Sequence, residues 1–168
     1  DLARWMFDDE IAAVSVLKPR ASSKAGEGEN DLLLVLLEMA SGVLVDVEVF
    51  VNAGYGYDIR CEVVCEDGTA ELSESVGAIV KSGGRFAGRV PVDWRERFVR
   101  AFDTEFQQWI DAVAAGGTTG PSSWDGFAAT VGTDTGLQAL RSGQRVPVTM
   151  RERPDLYKLT PGAGPSID

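Results

Sequence analysis

The stretch Asn52-Ala-Gly-Tyr-Gly-Tyr-Asp58 holds the residue types in this 168-residue sequence best suited to ligand chemistry. Tyr55 and Tyr57 each combine an apolar ring with a hydroxyl that both donates and accepts, which suits recognition of a polyol. Asp58 adds a carboxylate acceptor beside them. Glycines interleaved with tyrosines at a strand edge, as Gly54 and Gly56 are, mark a bulge or a close approach to a ligand. The competing reading is structural, with the two tyrosines packing as an aromatic pair on a sheet.

Other chemistry is sparse. The chain has no histidine, which removes the Ser-His-Asp triad and any imidazole base. No G-x-G-x-x-G follows a strand pattern, and Gly83-Gly84 and Gly116-Gly117 lack the strand–turn–helix setting of a dinucleotide fingerprint. Cys61 and Cys65 are too few for a metal site; four residues apart on one strand face, they read as small core hydrophobes. Asp8-Asp9-Glu10 reads as a solvated acidic run. Sixteen basic residues against 26 acidic ones give a net charge of −10, which argues against a nucleic-acid partner. No basic amphipathic stretch suits an anionic membrane. The longest apolar run, Leu32–Leu37, is too short to span a bilayer, and no signal peptide is recognisable, so a cytoplasmic location is expected.

A hydrophobic fraction of 44% with 25% charged residues describes an ordinary soluble globule, and the length is that of one domain. Asp1–Phe7 has helical spacing at Leu2, Trp5 and Met6, and reads like the middle of a helix in something longer. Ile11–Leu17 reads as a strand, Ala21–Asn30 as an exposed loop, and Leu32–Leu37 as a strand buried on both faces. Past the tight connection at Ala40-Ser41-Gly42, Val43–Val51 alternates, with valines on one face and Leu44, Asp46, Glu48 and Phe50 on the other. Tyr57–Cys65 repeats the alternation with Tyr57, Ile59, Cys61, Val63 and Cys65 inward, and Glu66-Asp67-Gly68 turns into Thr69–Leu72. Short strands follow near Ala78–Val80 and Arg89–Val92. The period then changes. Phe98, Phe102, Phe106, Trp109 and Val113 form an aromatic stripe on a helix, read as core, that Gly116-Gly117 ends. Ser122, with Asp125 three residues on, caps a second helix running to Ser142 and stopped by Gly143; Trp124 reads as its packing anchor. Val146–Val148 returns as an edge strand.

Strands followed by helices indicate an α+β fold, an open and mainly antiparallel sheet with helices on one face. The domain is expected to span 1–160, with a Gly/Pro/Ser-rich disordered tail at 161–168. Helices on one face leave the second face of Leu32–Leu37 bare, so a second subunit is the simplest cover. The alternative cover is the loop 21–30 or the segment 76–92.

Four stretches together resemble the C-terminal domain of the glucose–fructose oxidoreductase/inositol dehydrogenase (Gfo/Idh/MocA) superfamily, over nearly the whole chain. They are Asp1-Leu-Ala-Arg-Trp5, Val14-Ser-Val-Leu-Lys-Pro19, Tyr55-Gly-Tyr-Asp-Ile-Arg-Cys-Glu-Val-Val64 with Asp67-Gly-Thr69, and Thr119-Gly-Pro-Ser-Ser-Trp-Asp-Gly126. The third and fourth are those of the inositol branch. The resemblance implies a separate Rossmann domain that binds NAD or NADP and supplies a catalytic lysine. It also implies a catalytic Asp and His in a D-x-x-x-H-x-x-D run whose last Asp matches Asp1. All three catalytic groups would then lie upstream of Asp1, and this segment alone would be inactive. Tyr57 is implied as the first contact with an inositol or related polyol or sugar, Tyr55 and Asp58 as weaker ones, with assembly as a homodimer or homotetramer through the open sheet face. The contrasting reading is a non-catalytic, stand-alone oligomerisation or sugar-binding module.

Overall fold

A computed structural model describes residues 1–72 and 80–158. The strand expected near Ala78–Val80 lies partly, and the tail at 161–168 wholly, outside the described residues. The described chain forms two compact units, one of Asp1–Asn52 with Pro121–Asp168 and one of Ala53–Gly120. No helix among the described residues is long and apolar enough to cross a membrane.

The first unit opens with α1 (Leu2–Phe7), which stops where Asp8 takes a left-handed conformation at φ 46°. Its four-stranded antiparallel sheet runs in the order β3 (Leu44–Val49), β2 (Leu33–Met39), β1 (Ile11–Leu17) and β8 (Val146–Pro147). The expected edge strand at 146–148 is in place against β1. The register sets the faces. Val14–Leu37–Val45 and Val16–Val35–Val47 line one side; Ser15–Leu36–Asp46 and Leu17–Leu34–Glu48 line the other.

The helix α3 (Ser123–Ser142) packs on β1 and β8. Its contact stripe is small: Ala128, Gly132, Thr135, Gly136 and Ala139 recur every three or four residues. A methyl added at Gly132 would lie 3.4 Å from Ile11 Cδ1, and one at Gly136 would lie 3.8 Å from Val14 Cγ1. Small side chains therefore let the helix backbone come down onto the sheet, and Val14, Ala128 and Ala139 are sealed from water. Strand β2 is half-buried from Leu33 to Glu38 rather than buried on both faces, because α3 covers a single side of β1 and β8, and only Met39 at its end is buried.

Both ends of α3 fall where local chemistry dictates. Ser122 N–H and Oγ–H each donate to Asp125 Oδ2 at 2.7 Å, closing the capping box, and Gly143 ends the helix at φ 65°. Trp124 is buried against Phe127, the anchor role expected of it.

The second unit departs further from expectation. It holds two separate hairpins, β4 (Glu62–Cys65) with β5 (Gly68–Glu71), and β6 (Val80–Ser82) with β7 (Arg85–Ala87), followed by α2 (Trp94–Ala114). The strand expected over Tyr57–Cys65 begins only at Glu62, and no strand forms at Arg89–Val92. Cys65 and Ile59 are exposed rather than inward, and both cysteines are free thiols. An isolated two-stranded ribbon has no layer against it, so alternation there does not translate into burial. For the same reason the aromatic stripe is not core. No residue of α2 is buried, and Phe106 and Trp109 are 63% and 57% exposed.

Candidate functional site

The tyrosine segment is held by its backbone. Tyr57 N–H donates to Pro91 O at 2.7 Å, and Pro91 is buried. Gly56, between the two tyrosines, has φ 137°, and a Cβ there would lie 2.7 Å from Pro91 O and 2.8 Å from Val90 Cγ1. Only glycine accepts both that conformation and that approach. The close approach that the Gly-Tyr pattern signalled is thus to the chain's own backbone at Val90–Pro91, which is why Arg89–Val92 runs as irregular chain along this segment.

The two tyrosines have different partners. Tyr55 donates its hydroxyl to Asp58 Oδ2 at 3.0 Å, and Arg60 Nε lies 3.2 Å from the same oxygen. That hydrogen bond to a carboxylate, with some burial, raises the Tyr55 pKa and keeps the phenol protonated. Tyr57 packs edge-on against Phe98, with ring centroids 6.2 Å apart and planes at 81°. Its hydroxyl has no hydrogen-bond partner among the described residues. Tyr57 therefore presents a fixed ring and an uncommitted hydroxyl, whereas Tyr55 and Asp58 satisfy one another. Arg60, Pro91 and Phe98 complete this local arrangement, and sequence reasoning singled out none of them for it. Pro91 and Phe98 lie far along the chain, and only Arg60, two residues from Asp58, carried a local hint.

A second polar cluster belongs to the first unit and corrects the reading of Asp8-Asp9-Glu10 as a solvated run. Arg4, 7% exposed, makes a two-pronged pair with Glu10, Nε to Oε2 and Nη2 to Oε1, both at 2.7 Å. Its Nη1 donates to Asp1 Oδ1 and to Asp125 Oδ1, each at 3.2 Å. Asp125 thus caps α3 with one oxygen and takes Arg4 with the other. Asp9 accepts from Ser41 N–H at 2.8 Å and so pins the β2–β3 turn. The Arg4 guanidinium holds the Glu10 carboxyl below its ordinary value. At Asp125 burial pushes upward, but Ser122 and Arg4 together bring the carboxyl below its ordinary value.

Neither glycine pair forms a dinucleotide cradle. Gly83 and Gly84 turn the β6–β7 hairpin, and Gly116 and Gly117 follow the end of α2. Among the described residues no group of three or more His, Cys, Asp or Glu is placed to hold a metal ion.

Residues 1–150 match the C-terminal alpha/beta domain of the oxidoreductase family, Gfo/Idh/MocA. The chain belongs to that family. Among relatives of this Gfo/Idh/MocA domain, inositol 2-dehydrogenase 4 of Saccharopolyspora erythraea is 50% identical over 157 residues, which cover 94% of this chain and 46% of that protein. The inositol 2-dehydrogenase of Streptomyces avermitilis is 45% identical over 161 residues, 96% of this chain and 47% of the relative. The chain spans about half the length of the curated relatives it matches. A crystal structure of myo-inositol dehydrogenase from Lactobacillus casei, in complex with NAD(H) and myo-inositol, superposes with a TM-score of 0.83 at 31% identity. That match covers 93% of this chain and 47% of the other. The scyllo-inositol dehydrogenase of the same organism shares the fold, with a TM-score of 0.79 at 20% identity over 88% of this chain and 45% of the other. The Gfo/Idh/MocA domain is accordingly α+β with an antiparallel sheet, as its sequence indicated.

Proposed function

We propose that this chain is the substrate-binding and oligomerisation domain of an NAD- or NADP-dependent dehydrogenase that oxidises inositol or a related polyol. The observation that carries the reading is 50% identity across 94% of the chain to an inositol 2-dehydrogenase. The nicotinamide cofactor and the catalytic Lys, Asp and His belong to the other half of such an enzyme, so this segment alone is inactive. Tyr57 contacts the polyol, its ring fixed by Phe98 and its hydroxyl free to exchange hydrogen bonds with a ring hydroxyl. Tyr55 and Asp58 support it from a bonded pair.

The test is NAD reduction by the full-length gene product with myo-inositol, compared with its Tyr57→Phe variant. The variant is expected to lose about tenfold in kcat/KM, the worth of one hydrogen bond, with the KM for NAD unchanged. Turnover by the isolated 168-residue segment would overturn the placement of the catalytic groups.

Assembly through the sheet is part of the same proposal. The face opposite α3 carries Leu34 and Leu36 half-buried and Leu17 and Leu44 about 60% exposed, an apolar strip edged by Asp46 and Glu48. A second copy laid on it buries the strip as a self-complementary interface. Leu36→Lys is expected to halve the mass measured by light scattering without unfolding the chain. An unchanged mass would move the interface elsewhere.

A further inference from the structure

Tyr57 is held at two points, its backbone on Pro91 and its ring on Phe98. Those two supports are themselves joined. Arg89 lies two residues before Pro91, and Glu96 two residues before Phe98. Arg89 donates from both terminal nitrogens to Glu96, Nη1 to Oε1 and Nη2 to Oε2, the second at 2.8 Å. A two-pronged guanidinium–carboxylate pair fixes direction as well as distance. The contacts close a ring from Tyr57 through Pro91, Arg89, Glu96 and Phe98 back to Tyr57, all of it inside the second unit.

The start of α2 explains what this pair does. Asp93 caps the helix, its Oδ1 accepting from Arg95 N–H at 2.9 Å, so Glu96 stands at the third helical position. A glutamate there ordinarily turns back to the N–H of the capping residue. Here both oxygens go to Arg89 instead. At Phe98 the backbone departs from helical geometry, with φ −116° and ψ 15°, and the helix is kinked. No proline, glycine or serine lies between 94 and 102, so contacts rather than helix sequence set the bend. Trp94 and Phe102 span it, their rings 5.8 Å apart at 76°. The bend therefore falls at the residue that carries the Tyr57 ring, and Glu96 fixes the turn before it against the segment that carries Pro91. An exposed ion pair adds little to overall stability. This one lies between the two supports of a single side chain, which points to orientation.

We propose that Glu96, held by Arg89, is a positioning residue for polyol recognition that keeps the Pro91 and Phe98 supports of Tyr57 in register. This rests on the function proposed above. Neither side chain of the pair touches substrate; both act through Tyr57.

The test uses the full-length gene product and compares inositol kinetics with thermal unfolding. In Glu96→Gln the KM for myo-inositol is expected to rise about fivefold, with the KM for NAD and the Tm nearly unchanged. Arg89→Met removes the same pair from outside the helix and is expected to act alike. Exchanging the two, Arg89→Glu with Glu96→Arg, rebuilds the pair and is expected to return KM to within about twofold of wild type. A mere capping or dipole role predicts the opposite, because arginine in the first turn opposes the helix dipole. In a Tyr57→Phe background, Glu96→Gln is expected to add less than about twofold. An unaltered inositol KM in Glu96→Gln and Arg89→Met, in an enzyme where Tyr57→Phe does raise it, overturns the positioning role. A raised KM that the exchange does not recover overturns the pair as its cause. If the wild-type product oxidises no polyol, the functional reading fails, and amide hydrogen exchange at Tyr57 decides the ring of contacts on its own. It is expected to quicken about fivefold in Glu96→Gln, and an unaltered rate overturns the ring.

Discussion

Gly56→Ala in the full-length protein is expected to lower kcat/KM for inositol about a hundredfold, the scale of loss for a misplaced contact group. Two independent penalties converge on this position. A residue with a Cβ at φ 137° is strained by about 1–3 kcal/mol. The new methyl would also lie 2.7 Å from Pro91 O and 2.8 Å from Val90 Cγ1, and Pro91 O belongs to a backbone that cannot step aside cheaply. The segment relieves both by lifting off Val90–Pro91. That breaks the hydrogen bond from Tyr57 N–H to Pro91 O and removes the Tyr57 ring from its edge contact with Phe98. Limited proteolysis supplies the structural readout, with new cleavage expected between 53 and 60. Gly68→Ala is the matched control, because a Cβ there meets nothing within 4 Å and should leave both activity and cleavage unaltered. Wild-type kinetics and cleavage in Gly56→Ala would mean that the segment is not seated on Pro91 in solution.

Arg4→Met carries the second large effect, on stability. It leaves Glu10, Asp1 and Asp125 facing one another without the cation that joins them. Removing one partner of a buried pair costs about 3–5 kcal/mol, and because Glu10 and Asp1 are roughly half in water the expected loss is about 2 kcal/mol. Arg4→Lys recovers part of this, since an ammonium cannot make the two-pronged contact with Glu10. The pH dependence has a definite sign. Glu10 and Asp125 both ionise more readily in the folded chain than in the unfolded one. Their contribution is therefore complete above the ordinary carboxylate range and drains away as pH falls through their folded values. Urea unfolding from neutral pH into acid is expected to show a shallower acid decline in Arg4→Met than in wild type. Parallel curves would place the acid sensitivity elsewhere.

What was legible in the sequence followed local chemistry. The ends of α3 could be read from Ser122, Asp125 and Gly143, because a capping box and a left-handed glycine act within one helical turn. Strands β1 and β2 and the turn at Ser41-Gly42 were equally plain. Strand alternation failed at Tyr57–Cys65, where a hydrogen bond to Pro91, more than thirty residues away, holds the backbone off any ladder. The candidate site divided the same way. Tyr55, Tyr57 and Asp58 were visible as a cluster, but the bond that occupies the Tyr55 hydroxyl and leaves that of Tyr57 uncommitted was not. The run Asp8-Asp9-Glu10 shows the limit most clearly, since composition alone does not reveal that Glu10 meets a buried arginine.

The residues of this chain by themselves determined its family and its α+β class, and they singled out the segment proposed here for polyol contact. Periodicity, caps and turns are short-range properties, and the motif residues are contiguous. Tertiary structure alone decided that Tyr57 keeps a free hydroxyl while Tyr55 does not, that Gly56 must remain glycine, and that Glu96 meets Arg89. Each of those outcomes is set by atoms brought together across 3 to 35 positions of chain, and by which face of an element is left without a covering layer. Periodicity records which residues share a face; what comes to lie against that face is settled by the packing of the whole chain.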